Sequence, residues 1–115
     1  MKQFALIFRM DILSPEKQPS AEQMEAYMKD WNTWTNQISE GGKLAGGHHF
    51  AREGRLLKPG NQLHEKPYSC ENISLAGYIL VNAASLNEAT EMARSCPILN
   101  GHNTSVEVRE TTKPG

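Results

Sequence analysis

The sequence predicts one α+β domain of ferredoxin-like plan: a four-stranded antiparallel sheet with two helices on one face. Three observations carry this. Phe4–Phe8 and Tyr78–Val81 are continuously apolar at strand length. Two other stretches repeat apolar residues at three- and four-residue steps, each behind a serine set three residues before a Gln or Glu. The resulting order is strand, helix, strand with a hairpin excursion, strand, helix, strand.

The first strand is Phe4-Ala5-Leu6-Ile7-Phe8, whose unbroken apolar run predicts cover on both faces. Ser14-Pro15-Glu16 resembles a helical first turn that Pro19 interrupts, so a loop with one turn is expected. The first helix starts after Ser20, with Gln23 as its capping-box partner. Met24, Tyr27, Met28, Trp31, Trp34 (or Thr35) and Ile38 form its inner face, and Gly41-Gly42 ends it.

Lys43 to Ala51 reads as a strand with a bulge or close backbone approach at Gly46-Gly47. Arg55 to Lys58 reads as a short strand between the turns Glu53-Gly54 and Pro59-Gly60-Asn61, and Gln62 to Asn72 as a polar excursion. A strand over Leu75–Ala83 leads into the second helix, which starts near Leu86 behind Ser85 and Glu88. Leu86, Ala89, Met92, Ala93 and Cys96 are its stripe, and Pro97 is its stop. Asn100-Gly101 turns into a last strand, Ser105–Arg109.

Residues 1–115 make a single domain. With 12 basic and 13 acidic side chains the net charge is −1, which offers no field for a phosphate backbone, so no nucleic-acid partner is expected. Cys70 and Cys96 are too few for a disulfide framework and fit a reducing, cytoplasmic setting. The apolar run Phe4–Phe8 is too short for a signal peptide or membrane span. Two helices cover one face of a four-stranded sheet while the apolar strands offer side chains to both. A second copy packed sheet against sheet, a homodimer, is therefore the expected partner.

With these residues placed, the chain resembles the YCII-related family, in particular its branch named for an Asp-Gly-Pro-Phe motif. The resemblance rests on Met1-Lys2-Gln3-Phe4, Trp31-x-x-Trp34, Gly42-Lys43-Leu44-Ala45-Gly46-Gly47 and Ala76-Gly77-Tyr78-Ile79. It rests also on Ser85-Leu86-Asn87-Glu88-Ala89, Cys96-Pro97-Ile98-Leu99 and Val106-Glu107-Val108-Arg109. It implies a ferredoxin-like fold paired into a dimeric α/β barrel, with a cleft between the first helix and the sheet. The chain departs from the family at Glu65-Lys66-Pro67-Tyr68, where the branch motif keeps only its proline. Some relatives are credited with an acid/base histidine on the first helix and a partner aspartate. The matching positions here are Trp31 and a residue near Glu53, so that pair is not present.

The candidate site residues follow from chemistry. His48 and His49 are adjacent on a strand and point to opposite faces, which argues against one metal ion held by both and leaves one as a general base. Glu65, or Glu53, is the carboxylate that would serve it. Trp31 and Trp34, with Tyr27 one turn back, are core filling or an aromatic wall for an apolar ligand. His64, Glu65 and Tyr68 cluster on a loop, and Arg9 ends the first strand, where a guanidinium can bind an anion or make an ion pair. Arg109 has the same two readings, and nothing activates Cys70. No metal and no cofactor is expected. The favoured function is a dimeric module whose helix–sheet cleft binds a small, partly apolar molecule. The alternatives are a small acid/base enzyme (isomerase, lyase or cofactor-independent oxygenase) and a non-catalytic structural or regulatory partner.

Overall fold

The computed structural model describes residues 1–113. Strand β1 (Lys2–Asp11) leads through a 3-10 turn at Pro15–Lys17 into α1 (Ala21–Glu40). Then come β2 (Leu44–His49), β3 (Leu56–Lys58), β4 (Gln62–His64), β5 (Ser69–Cys70) and β6 (Ile73–Ala83). Helix α2 (Leu86–Ala93), a 3-10 turn at Pro97–Asn100 and β7 (Ser105–Glu110) complete the chain. The main sheet runs β2-β6-β1-β7, all antiparallel, and β5 adds a fifth strand on β6. Two helices and an antiparallel sheet make an α+β fold compatible with the ferredoxin-like plan, but with five strands in place of the expected four. Strands β3 and β4 form a separate two-stranded hairpin.

The fifth strand lies inside what reads as a polar excursion. Glu71 and Asn72 both take positive φ (53° and 68°), the geometry of a two-residue turn whose twist suits paired strands. Cys70 thereby pairs with Ile73, and Ser69 with Ser74. Asn72 suits such angles but glutamate carries no preference for them, so the turn leaves only half of its usual signature in the sequence.

Helix starts match their caps. Ser20 accepts a hydrogen bond from the Gln23 amide while the Gln23 side chain accepts one from the Ser20 amide. Ser85 accepts from the Glu88 amide, and the Glu88 carboxylate pairs with Lys43 across the fold. The second stripe is shorter than its pattern. Leu86 is 53 % exposed, and α2 ends at Ala93, so that Cys96 reaches the core from the following turn. Met24, on the expected inner face of α1, is exposed as well.

The core lies on one side of the sheet. Phe4, Leu6 and Phe8 of β1 and Ile79, Val81 and Ala83 of β6 meet Trp31, Trp34 and Ile38 of α1 and Ala89 and Ala93 of α2. The residues between them, Ala5, Ile7, Tyr78 and Leu80, are half-buried and face away from both helices. The apolar strands are therefore covered on one face only by this chain, and the other face is open.

A bulge at Ala45 shifts the β2–β6 register between Leu44 and Gly46. Beyond it Gly46 and Gly47 take φ of 143° and 153°. A Cβ on Gly47 would lie 2.5 Å from the Tyr78 carbonyl oxygen, whereas one on Gly46 would meet nothing within 4 Å. Gly46→Ala should therefore cost only backbone strain, about 1–3 kcal/mol, and Gly47→Ala distinctly more. Urea unfolding of the two variants checks this, and equal losses would contradict the packing.

Candidate functional site

The two histidines part as strand geometry requires. His49 sits opposite Gly77 on the helix side, its ring edge-on to Trp31 at 5.5 Å between centroids. His48 sits opposite Tyr78 on the open face, with Nδ1 3.3 Å from the Tyr78 hydroxyl. Neither forms an ion pair with a carboxylate among the described residues. Among those residues no group of three or more His, Cys, Asp or Glu is placed to hold a metal ion.

Between α1 and the sheet, the tryptophans fill the space. Trp31 and Trp34 are each 4 % exposed and stack edge-to-face with one another and with Phe8. The Trp34 indole N–H donates to the Met92 carbonyl oxygen at 3.0 Å, tying α1 to α2, and so is not free to orient a ligand. Among the described residues Trp31 Nε1 finds no hydrogen-bond partner of ordinary geometry. Burial pushes the Tyr27 phenol up, and the Trp31 N–H beside it pulls the other way. What remains of the helix–sheet cleft is a 310 Å³ notch at the β2 edge, bordered by Trp31, Thr35, Gly47, His48 and His49. Tyr27 instead borders a 670 Å³ groove between the start of α1 and the turn at Pro97–Asn100. His64 and Glu65 line a different hollow, on the β3–β4 hairpin side with Tyr68, and neither His48 nor His49 borders it.

Another hollow is on the opposite side of the sheet, where β2 leaves the edge of β6 and β5 takes it up. Its volume is about 510 Å³, and Arg9, Phe50, Glu53, Arg55, Tyr68 and Leu75 line it. A register shift between Phe8 and Arg9 creates it: Arg9 pairs with Leu75, skipping Ala76, so both side chains share the open face. Three contacts hold its walls. Arg52 Nε donates to the Ile12 carbonyl at 2.8 Å, pinning the segment after β2. Gly54 approaches Pro67 so closely that a Cβ would meet its ring at 3.0 Å. The buried Ser74 hydroxyl donates to the Tyr68 carbonyl. Arg9 and Tyr68 were expected as ligand groups on chemistry alone; Phe50, Arg55 and Leu75 were not. Phe50 has one sequence cue, a large aromatic just after an edge strand, and it is 46 % exposed.

Arg9 does not stand alone. Its Nη1 donates to Glu107 Oε1 at 2.7 Å, while Arg109 donates to Glu107 Oε2 at 3.0 Å. Arg109 first and Arg9 second hold the Glu107 carboxyl below the ordinary glutamate range.

The family model for the YCII-related domain matches residues 9–112. The chain belongs to the YCII-related domain family. No curated protein matches the chain. Nearly the whole domain falls within the match, including Arg9 at its first position, the hollow and both helices. Among the described residues no helix is long and apolar enough to cross a membrane.

Because the folded Glu107 pKa is depressed, the stability it contributes is present above the ordinary glutamate pKa and is lost as pH falls through the depressed value. Glu107→Gln should therefore lower stability at neutral pH and flatten the acid limb of a urea-midpoint series run down to about pH 3. Burial pushes the Cys96 thiol up to about 11, while Cys70 is exposed. At about pH 8 a disulfide reagent should titrate Cys70 in the native protein and Cys96 only after denaturation. Two native thiols reacting at similar rates would contradict the burial of Cys96.

Proposed function

We propose that this protein is a homodimer, joined through the open faces of its sheets, and that the hollow beside Arg9 binds a small, partly apolar molecule without transforming it. The observation that carries the reading is an excess of surface. The chain exposes 8189 Å², against roughly 6,300 Å² from the scaling of surface with mass for a compact monomer. The difference, on the order of 1,900 Å², exceeds the roughly 800 Å² that each partner buries in a standard interface. The radius of gyration, 15.5 Å, is above the roughly 13 Å usual for this length. The thin dimension of 19 Å is that of a sheet with helices on one side.

The half-buried Ala5, Ile7, Tyr78 and Leu80 form the apolar strip of that face, and Arg9, Glu107 and Arg109 its charged margin. A twofold contact would set strip on strip, an isologous arrangement that needs one patch alone. Binding without chemistry is favoured over the acid/base alternative because His48 and His49 lack a carboxylate partner and Glu65 lies on a different hollow. The branch named for the Asp-Gly-Pro-Phe motif belongs to this proposal too, through Glu65-Lys66-Pro67-Tyr68, whose proline and tyrosine border the hollow.

Sedimentation equilibrium at micromolar concentration should give a mass about twice 12.8 kDa. Leu80→Glu, which buries a carboxylate in the apolar strip, should return the monomer with its helical signal intact. A wild-type monomer throughout that range would overturn the reading.

A further inference from the structure

We propose that the molecule held in this hollow is a monoanion, a carboxylate on an aromatic or other flat apolar body. This rests on the reading of the hollow as a binding site and adds the class of its ligand.

The charge balance sets the sign. Arg9 and Arg55 line the hollow against Glu53, which leaves one positive charge unmatched, and Glu107 outside the lining divides its carboxylate between Arg9 and Arg109. Arg55 has no acidic partner among the described residues; its only hydrogen bond is from Nη1 to the neighbouring Gly54 carbonyl. Arg9 spends Nη1 on Glu107, and its Nε and Nη2 donate to nothing among the described residues. A guanidinium held on one side and free on the other is the geometry that receives a planar carboxylate through two parallel N–H bonds. Glu53 on the lining repels a second negative charge, which favours a monoanion over a phosphate dianion.

The lining sets the body. Phe50, Tyr68, Pro67, Leu75 and Ile73 give the same hollow its apolar lining. Phe50 also stacks against Tyr78, with centroids 5.9 Å apart, so its ring continues into the sheet face. The 510 Å³ volume suits a ligand of one or two rings.

The test uses the full chain with two isosteric probes, 2-naphthoate and the neutral 2-naphthamide, measured by calorimetric titration at low and moderate salt. The expected result is that naphthoate binds at least about tenfold tighter than the amide. Arg55→Gln, which removes no folding contact beyond one local hydrogen bond, should shrink that preference. Arg9→Lys, keeping charge but losing the fork, should reduce it further, while Phe50→Ala should weaken both probes together. Equal or tighter binding of the amide overturns the anion assignment and leaves the hollow standing as a site. Binding of neither probe, or binding of both that is indifferent to Phe50→Ala, overturns the hollow itself and the assignment with it.

Discussion

The pairing of β1 with β6 is the constraint on which the rest of the molecule depends. From Lys2↔Ala83 to Phe8↔Gly77 it holds one register, and every second residue on each strand is delivered to the helices. A slip of one residue would send Phe4, Leu6 and Phe8 to the opposite face. At Phe8 the register shifts by one on the β6 side, so Arg9 lies beside Leu75. That single extra residue ends the core and begins the hollow, because it changes which side chains share the open face beyond it.

On the helix side the solution is dense and aromatic. Phe8, Trp31 and Trp34 meet edge-to-face, and the Trp34 N–H is satisfied by the Met92 carbonyl of α2. A buried indole must find such an acceptor or lose the hydrogen bond it had in water. The bond also fixes how the two helices lie on the sheet. The space where a ligand cleft was expected is therefore taken by side chains, and the chain's recess moves to the other face and to the β2 edge.

That other face explains the shape of the molecule. Apolar strip, charged margin and hollow occur together where no helix of the same chain reaches, and the surface exceeds what a compact monomer of this mass exposes. A second copy and a small anion would cover different parts of one surface: the first the strip at Ile7 and Leu80, the second the recess beside Arg9. Arg9 lines the recess, and through Glu107 it is tied to Arg109 on β7, alongside the strip.

By itself the sequence determined the element types and most of their starts. Apolar runs, stripes and serine caps are local signals, and Ser20, Ser85, Gly46-Gly47 and Pro97 act within a few residues of where they stand. It also singled out Arg9 and Tyr68, which line one hollow, and showed that His48 and His49 must part. Only the tertiary structure decided that β5 joins the sheet, since Glu71, the first residue of its turn, has no preference for the positive φ it takes. Only the structure brought Arg9, Arg55, Phe50 and Leu75 together, from segments separated by up to 66 positions in the chain. Periodicity reports which face a residue takes within its own element. Which elements come to share that face is settled by long-range register, here one extra residue in β6 and one in β2.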